Sequence, residues 1–551
     1  MSEAATPSPG RARWLGFAAL AAGLAMIVLD GTVVSIAMPA MIDDLGFGLS
    51  DAQLVNTVYP VVFAALLLTF GRLGDRHGRR LVFLIGVGVF AAASLTAAGS
   101  TDVGELIASR CVQGVGGAMI LPATLSTVNA TFRGRDRSVA FGLWGAIMAG
   151  TAAVGPLLAG WLTTALSWQW VFLINVPIGL VVLAVGARFV PETVGDRTGG
   201  FDGWGLVTSA LGLGLLVFGL VEGPAVGWVA STSDFLVGDF TWPEGAAASP
   251  AFFALVAGGL LAGTFVVLQR RRARAGKALT LDLGLFTVPT FAWGNLTAAM
   301  VAVGEFALLF VVPLYLVYAL QLSILQAGWV LAAMAGGAFV AGARARSLAA
   351  RLGPARVVTL GLAMELVATA AAALIVPAGL GIWPIVALLA LYGLGLGLAS
   401  AQLTSTVLRD VPVERSGVAS ATQSTVRQLG SALGAAVDGT VLASSFAVTV
   451  PARLALVKGV SADDGQTMID YMTGTAGAVI AWIREKGNDG HFGKLGPKVA
   501  HQLSIAFAQS IGTVLWVAAA FIALGLVGAL QVERASGPVA EPVRPVGAPV
   551  S

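Results

Sequence analysis

Gly71-Arg-Leu-Gly-Asp-Arg-His-Gly-Arg-Arg80 lies between two apolar runs, at 53–72 and 80–99. Glycine permits a tight turn here, and Asp75 and the arginines can bind helix ends and each other. The flanking runs are each long enough to cross the hydrocarbon of a bilayer. The stretch therefore reads as a short basic turn between two spanning helices, and such turns are retained on the cytoplasmic side.

Outward from this turn the chain reads as fourteen apolar segments: 15–39, 53–72, 80–99, 104–128, 138–165, 169–190, 203–222, 251–269, 287–319, 325–343, 355–376, 382–407, 417–447 and 505–531. The first is too long for a signal peptide and lacks a small-x-small processing site, so it is expected to be retained. With the N-terminus inside, the inner segments carry 24 of the 32 lysines and arginines, and the six short outer loops carry none. A wrong helix count would scramble that alternation, so both termini are expected in the cytoplasm. The outer loop 448–504 holds six basic residues, but long loops escape the rule. Its apolar stretch near Met472–Trp482 is too short to span and is expected to lie on the bundle or at the interface.

Composition agrees. The 551 residues are 57% hydrophobic and 11% charged, against about 25% charged in a soluble domain. Mean hydropathy is +0.86. A soluble enzyme, a disordered chain and a collagen-like fibre are excluded. One cysteine, Cys111, excludes a disulfide framework, and His77, His491 and His501 offer no ligand spacing. No cofactor, metal or nucleic-acid partner is implied. The spans divide as six, two and six. Residues 1–190 form one six-helix unit, 191–284 hold linkers and a two-helix hairpin, and 285–535 form a second six-helix unit. The tail 536–551 is rich in Pro, Val and Gly and is expected to be disordered.

Charges inside spans are costly, about 2.5–3.5 kcal/mol each on insertion scales, and so default to functional candidates. Here they are Asp30, Arg110, Glu305, Glu365, Arg427 and Asp438, with Glu222 at the outer end of the seventh span. Asp30 lies about 13 Å and Arg110 about 9 Å below the outer surface, counted from their span ends at 1.5 Å per residue. They can pair if their helices adjoin, either as a pair that opens when a proton or cation arrives or as a permanent packing contact. Arg427 and Asp438 are eleven residues apart, about three turns, and face the same way. They are expected to line one cavity wall at two depths, or to form a polar stripe against another helix. Glu305 and Glu365 fall near mid-depth with no basic neighbour in sequence. A carboxyl there is expensive to keep charged, which suits a proton carrier; Glu365 can equally be a neutral structural acid. Trp293, Phe306, Tyr315, Tyr318 and Trp329 offer either an apolar substrate wall with cation–π contacts or anchors facing lipid.

The opening stretch resembles the major facilitator signature G-x-L-x-D-R-x-G-R-[RK]. That resemblance implies gating of the cytoplasmic side by Asp75, Arg76 and Arg79. Leu106-Ile-Ala-Ser-Arg-Cys-Val-Gln-Gly-Val-Gly-Gly117 resembles the family's fourth-helix motif, whose arginine is tied to proton coupling; here that is Arg110. Gly150-Thr-Ala-Ala-Val-Gly-Pro-Leu-Leu-Ala-Gly160 resembles the fifth-helix antiporter motif G-x-x-x-G-P-x-x-G-G, with Thr151 and Ala159 replacing two glycines. Gly155, Pro156 and Gly160 would then give close packing and a bend. Leu29-Asp-Gly-Thr-Val-Val-Ser-Ile-Ala-Met-Pro39 and Trp170-Val-Phe-Leu-Ile-Asn-Val-Pro-Ile-Gly179 resemble first- and sixth-helix motifs of the fourteen-span drug:proton antiporters, the EmrB/QacA type.

The resemblance implies an all-α integral membrane protein of the major facilitator fold: two six-helix bundles plus an inserted two-helix hairpin. It implies proton-driven export of a lipophilic, often cationic drug, dye or antibiotic across a bacterial inner membrane, by alternating access. Protons, a small lipophilic substrate and the bilayer would be its partners, and a monomer is expected. A dedicated exporter of one endogenous product, or an uptake symporter, shares the same layout. No nucleophile or metal cluster suggests an enzyme, and no G-x-x-x-x-G-K-[ST] suggests an ATP-driven pump.

Overall fold

The computed structural model describes residues 9–47, 49–194, 202–237, 240–412 and 415–536. The tail beyond Ser536 lies outside them. Inner and outer below denote the faces rich and poor in basic turns. The helices are α1 (Pro9–Leu45), α2 (Leu49–His77), α3 (Arg79–Ala98), α4 (Val103–Thr131), α5 (Gly134–Ala165), α6 (Trp170–Leu173), α7 (Asn175–Phe189), α8 (Gly203–Val226), α9 (Pro250–Arg274), α10 (Pro289–Leu314), α11 (Ile324–Leu352), α12 (Pro354–Ala378), α13 (Ile382–Val407), α14 (Ser416–Leu454), α15 (Ala462–Gly474), α16 (Val479–Lys486) and α17 (Gly496–Ala535). In lipid the backbone must satisfy itself, so spanning segments close into helices.

Turn chemistry sets the boundaries. Gly78, at φ 120°, separates α2 from α3. The Asp102 side chain accepts from the Glu105 amide to start α4, and Ser323 and Gln326 form a reciprocal cap on α11. Thirteen of the described helical segments are long and apolar enough to cross a membrane. The 32-residue α5 occupies the fifth expected span, with the side chains of several of its residues outside those described.

In the first half, α4 packs on α2 and α3, and α1 on α5 and α7. Phe83, Phe90 and Leu24 lie in its core. In the second half, α13 packs on α11 and α12, and α17 on α10, α12 and α14. The halves meet where α5 crosses α11 and α13, and where α2 meets α14. The hairpin helix α8 seats along both α2 and α14, through a small apolar cluster of Ala64, Val217 and Ala432. Its inner end is stapled by Asp202, which accepts from Gln269 Nε2 at 2.7 Å and Thr280 Oγ1 at 2.9 Å and pairs with Arg272 at 3.2 Å. Burial opposes ionisation there, yet these donors hold the Asp202 carboxyl below its usual range.

Two features go beyond the sequence expectation. A short antiparallel hairpin, β1 (Phe235–Val237) with β2 (Phe240–Trp242), sits in the outer loop after α8. The long outer loop is also narrower than 448–504, because α14 runs to Leu454 and α17 starts at Gly496. The residues between them build α15 and α16, a helical cap whose Met472, Ile480 and Ile483 are buried in one core with Phe446 and Phe507. The cap lies on the bundle because these apolar side chains have a wall of α14 and α17 to cover.

Candidate functional site

Asp30 of α1 and Arg110 of α4 form a buried ion pair, 0% and 2% exposed. Their depths matched closely enough for the guanidinium to reach across. Arg110 Nη1 also donates to Gln113 Oε1 at 2.8 Å, one turn along α4. Gln113 Nε2 returns to Asp30 Oδ1 at 3.1 Å and to Ser94 Oγ of α3 at 2.8 Å. Asn175, at the start of α7, donates to Asp30 Oδ1 at 3.4 Å and Ser94 Oγ at 3.3 Å. The Tyr59 ring of α2 lies 4.5 Å from the guanidinium carbon. Five helices thus contribute to one polar network around Asp30 and Arg110. Both charges of this network are partnered, although Asn175 Oδ1 has no hydrogen-bond partner among the described residues, and in a low dielectric the loss of one charge is expensive. Gln113 and Asn175 stand inside the motifs quoted above. Neutral polar residues do not break an apolar run as charges do, so only the structure gives them a place.

The antiporter motif supports this site from behind. A Cβ on Gly155 would fall 2.9 Å from Thr32 Cβ, so α5 touches α1 two residues from Asp30. Gly160 gives its carbonyl to Thr164 Oγ1 at 2.7 Å, and Pro156 lies outside the described side chains.

The second half holds a more open pair. Glu305 of α10 meets Arg427 of α14 at 3.2 Å, with side chains 19% and 26% exposed. Glu305, without a basic neighbour in sequence, therefore has one in space. A Cβ on Gly430 would lie 2.5 Å from the Ala299 carbonyl, and that close approach of α14 to α10 delivers the arginine. Glu365 of α12 is fully buried, and neither carboxyl oxygen has a hydrogen-bond partner among the described residues. Arg427 is partly exposed whereas Asp438 is buried, with Oδ2 unpartnered among the described residues. Its neighbour Gly439 packs on Pro224 of α8. Glu222, one turn or less away on α8, is buried beside Thr57 of α2. The hairpin thus brings a fourth acidic position to the junction of the halves.

The aromatic wall does not assemble. Trp329 is 70% and Trp293 39% exposed. Tyr315 is buried in the second-half core, Tyr318 meets Phe507 edge-on, and Phe306 stacks on Phe310. Packing in the second-half core holds Tyr315 and Tyr318 away from a shared surface with the tryptophans.

At the inner face, Arg79 donates to Asp75 Oδ1 through Nε at 2.9 Å and Nη2 at 2.8 Å, and to the Ser126 carbonyl of α4 at 3.4 Å. Both side chains are buried. Asp75 also faces the backbone N–H of Val418 at the start of α14, and Oδ2 makes no closer hydrogen bond. Arg137 of α5 donates to the Leu408 carbonyl, just past α13, at 3.4 Å. These contacts join the two halves on the basic side. Arg76 is exposed and has no hydrogen bond or ion pair among the described residues, so it stands apart from this latch. Arg80 does not cross the junction either: its backbone N–H donates to Glu192 Oε1, just past α7, at 3.1 Å.

The chain matches the Major Facilitator Superfamily over residues 20–435. It is 32% identical to the multidrug efflux pump LfrA of Mycolicibacterium smegmatis, across 82% of this chain and 85% of that protein. It is also 32% identical to the methyl viologen resistance protein SmvA of Salmonella typhimurium, across 80% of this chain and 84% of that one. The crystal structure of the human organic anion transporter MFSD10 superposes with a TM-score of 0.57 at 14% identity, over 96% of this chain and 100% of that one, which shows the shared fold. With its multi-pass helical architecture, two joined halves and buried charges between helices, the chain belongs to the Major Facilitator Superfamily, as a membrane transporter and not an enzyme.

Proposed function

We propose that this protein is a proton-coupled efflux transporter for lipophilic cations, working by alternating access in a bacterial inner membrane with both termini cytoplasmic. The observation that carries this reading is the closed network around Asp30, a carboxylate that must exchange its guanidinium partner for a proton to change state. Protonation of Asp30 from outside breaks its pair with Arg110 and frees α4 from α1. Release of that proton inside reforms the pair. The units 1–190 and 285–535 rock about their junction, with α8 riding between them. On the facing side Glu305 supplies negative charge, while Asp438, Glu365 and Glu222 are buried carboxyl groups that are costly to ionise. Glu305, half-open beside Arg427, is the acid for which a cation competes. The antibiotic, dye and biocide classes follow from that charge and from the efflux pump and resistance protein among the relatives. Equal affinity in both states would shift no equilibrium, so the inward-facing state must hold substrate more tightly.

Everted membrane vesicles energised to an acid interior test this. Ethidium or methyl viologen is expected to dissipate the pH gradient with wild type, and Glu305→Gln to reduce the effect at least about tenfold, a loss of one charge-assisted contact. Equal dissipation by vesicles lacking the protein would sink the proposal.

A further inference from the structure

The outer face of the second half carries a groove that the transport cycle leaves without a role. It has two lobes, of about 550 and about 470 Å³, that share Pro497 and His501 of α17. Lys458 and Lys498 line the first lobe and Arg484 of α16 lines the second. Neither lobe has an acidic residue in its lining. Leu456, Leu495, Ile505 and Ala508 make the walls apolar between these cations.

Arg484 is the informative member. Arg79, Arg110 and Arg427 each pair with a carboxylate. Arg484 is held only by neutral oxygens: the Tyr318 carbonyl at 2.9 Å, the Ser504 hydroxyl, and the Gln321 amide oxygen at 2.6 and 3.0 Å once that amide is turned to face it. No acid pairs with it among the described residues. Partial burial pulls its pKa down, as burial does to a cation that no counter-charge compensates. An anion arriving from outside would supply the missing charge.

The depth of the groove selects the kind of anion. Trp482, two residues before Arg484, and Trp383, at the outer start of α13, are both exposed. Exposed tryptophans sit at headgroup level. Beside Arg484 the second lobe is lined by apolar groups, Tyr315, Leu320, Val376, Ile505 and Ala508. Positive charge at headgroup depth next to an apolar wall matches an amphiphile with an anionic head.

We propose that this groove binds an anionic phospholipid of the outer leaflet. Its phosphate sits on Arg484 and His501, Lys458 and Lys498 extend the positive surface, and an acyl chain lies along Ile505 and Ala508. Because Arg484 also holds the Tyr318 carbonyl, the lipid braces the cap against the outer end of α10, the helix that carries Glu305.

The test is native mass spectrometry of the full chain released from nanodiscs of phosphatidylcholine doped with phosphatidylglycerol. Wild type is expected to retain phosphatidylglycerol well above its share of the bilayer. Lys458→Gln with Lys498→Gln is expected to lower retention by about fivefold per removed charge at unchanged thermal stability, because both side chains are exposed. Arg484→Gln is expected to remove the preference, and the lysine variant keeps the test valid if that change loosens the cap. Equal retention of both lipids by wild type, or retention untouched by the lysine variant, would overturn the proposal. So would displacement of the lipid by inorganic phosphate alone, which would assign the groove to a soluble anion. None of these outcomes depends on whether transport is coupled to protons.

Discussion

Asp30→Asn is expected to abolish substrate-evoked proton movement and to slow export at least about 100-fold. Asparagine keeps the shape and the bonds to Gln113 and Asn175 but removes the titratable charge. It also leaves Arg110, 2% exposed, without its counter-ion, a loss of about 3–5 kcal/mol when a buried pair is broken from one side. A drop in thermal stability alone would fit a pair that merely fixes packing. The double variant Asp30→Asn/Arg110→Gln separates the two roles, because it removes both charges and relieves the orphaned guanidinium. Stability is expected to recover in the double variant and proton movement to stay absent. Recovery of transport together with stability would show that the pair only packs α1 against α4.

Asp75→Asn is expected to shift the conformational equilibrium toward an open inner face. Asp75 and Arg79 are buried together, and the carboxylate faces Val418 across the junction of the halves. Removing its charge breaks the buried pair with Arg79 in the inner-closed state, at a cost of about 3–5 kcal/mol, and relief comes when α2 and α14 separate and water enters. A shift of that size changes a two-state ratio by about two to four powers of ten. Labelling of a cysteine placed at the inner end of α14 reads it directly, with strong labelling in Asp75→Asn and protection in wild type. Arg76→Ala is the contrast: its side chain is exposed, and such changes stay within about 0.5 kcal/mol. Equal labelling of all three proteins would remove the gating role from Asp75.

Much of this architecture is legible in the sequence for one physical reason: the bilayer taxes charge. Spans show as uncharged runs, sidedness as the placement of arginine, and the Asp30–Arg110 pair as two expensive residues at matched depth. What the sequence hides is tertiary and neutral. Ser94, Gln113 and Asn175 cost little in an apolar run until their helices converge. Glu305 looked isolated because Arg427 reaches it only through the glycine-lined approach of α14 to α10. The aromatic residues of α10 and α11 gave no sign of direction, since a tryptophan facing lipid and one facing substrate read alike. The cap at 455–495 was visible as external structure, but its burial against α17 depended on a wall that no local pattern announces.

The central claim is that proton entry drives substrate out through the Asp30 network. The most direct measurement follows internal pH in proteoliposomes carrying the purified protein, with a panel of lipophilic cations, for wild type, Asp30→Asn and Glu305→Gln. The expected result is proton movement evoked by ethidium in wild type, lost in Asp30→Asn and weakened in Glu305→Gln. Proton movement that survives in Asp30→Asn, or that no cation evokes in wild type, would contradict the account.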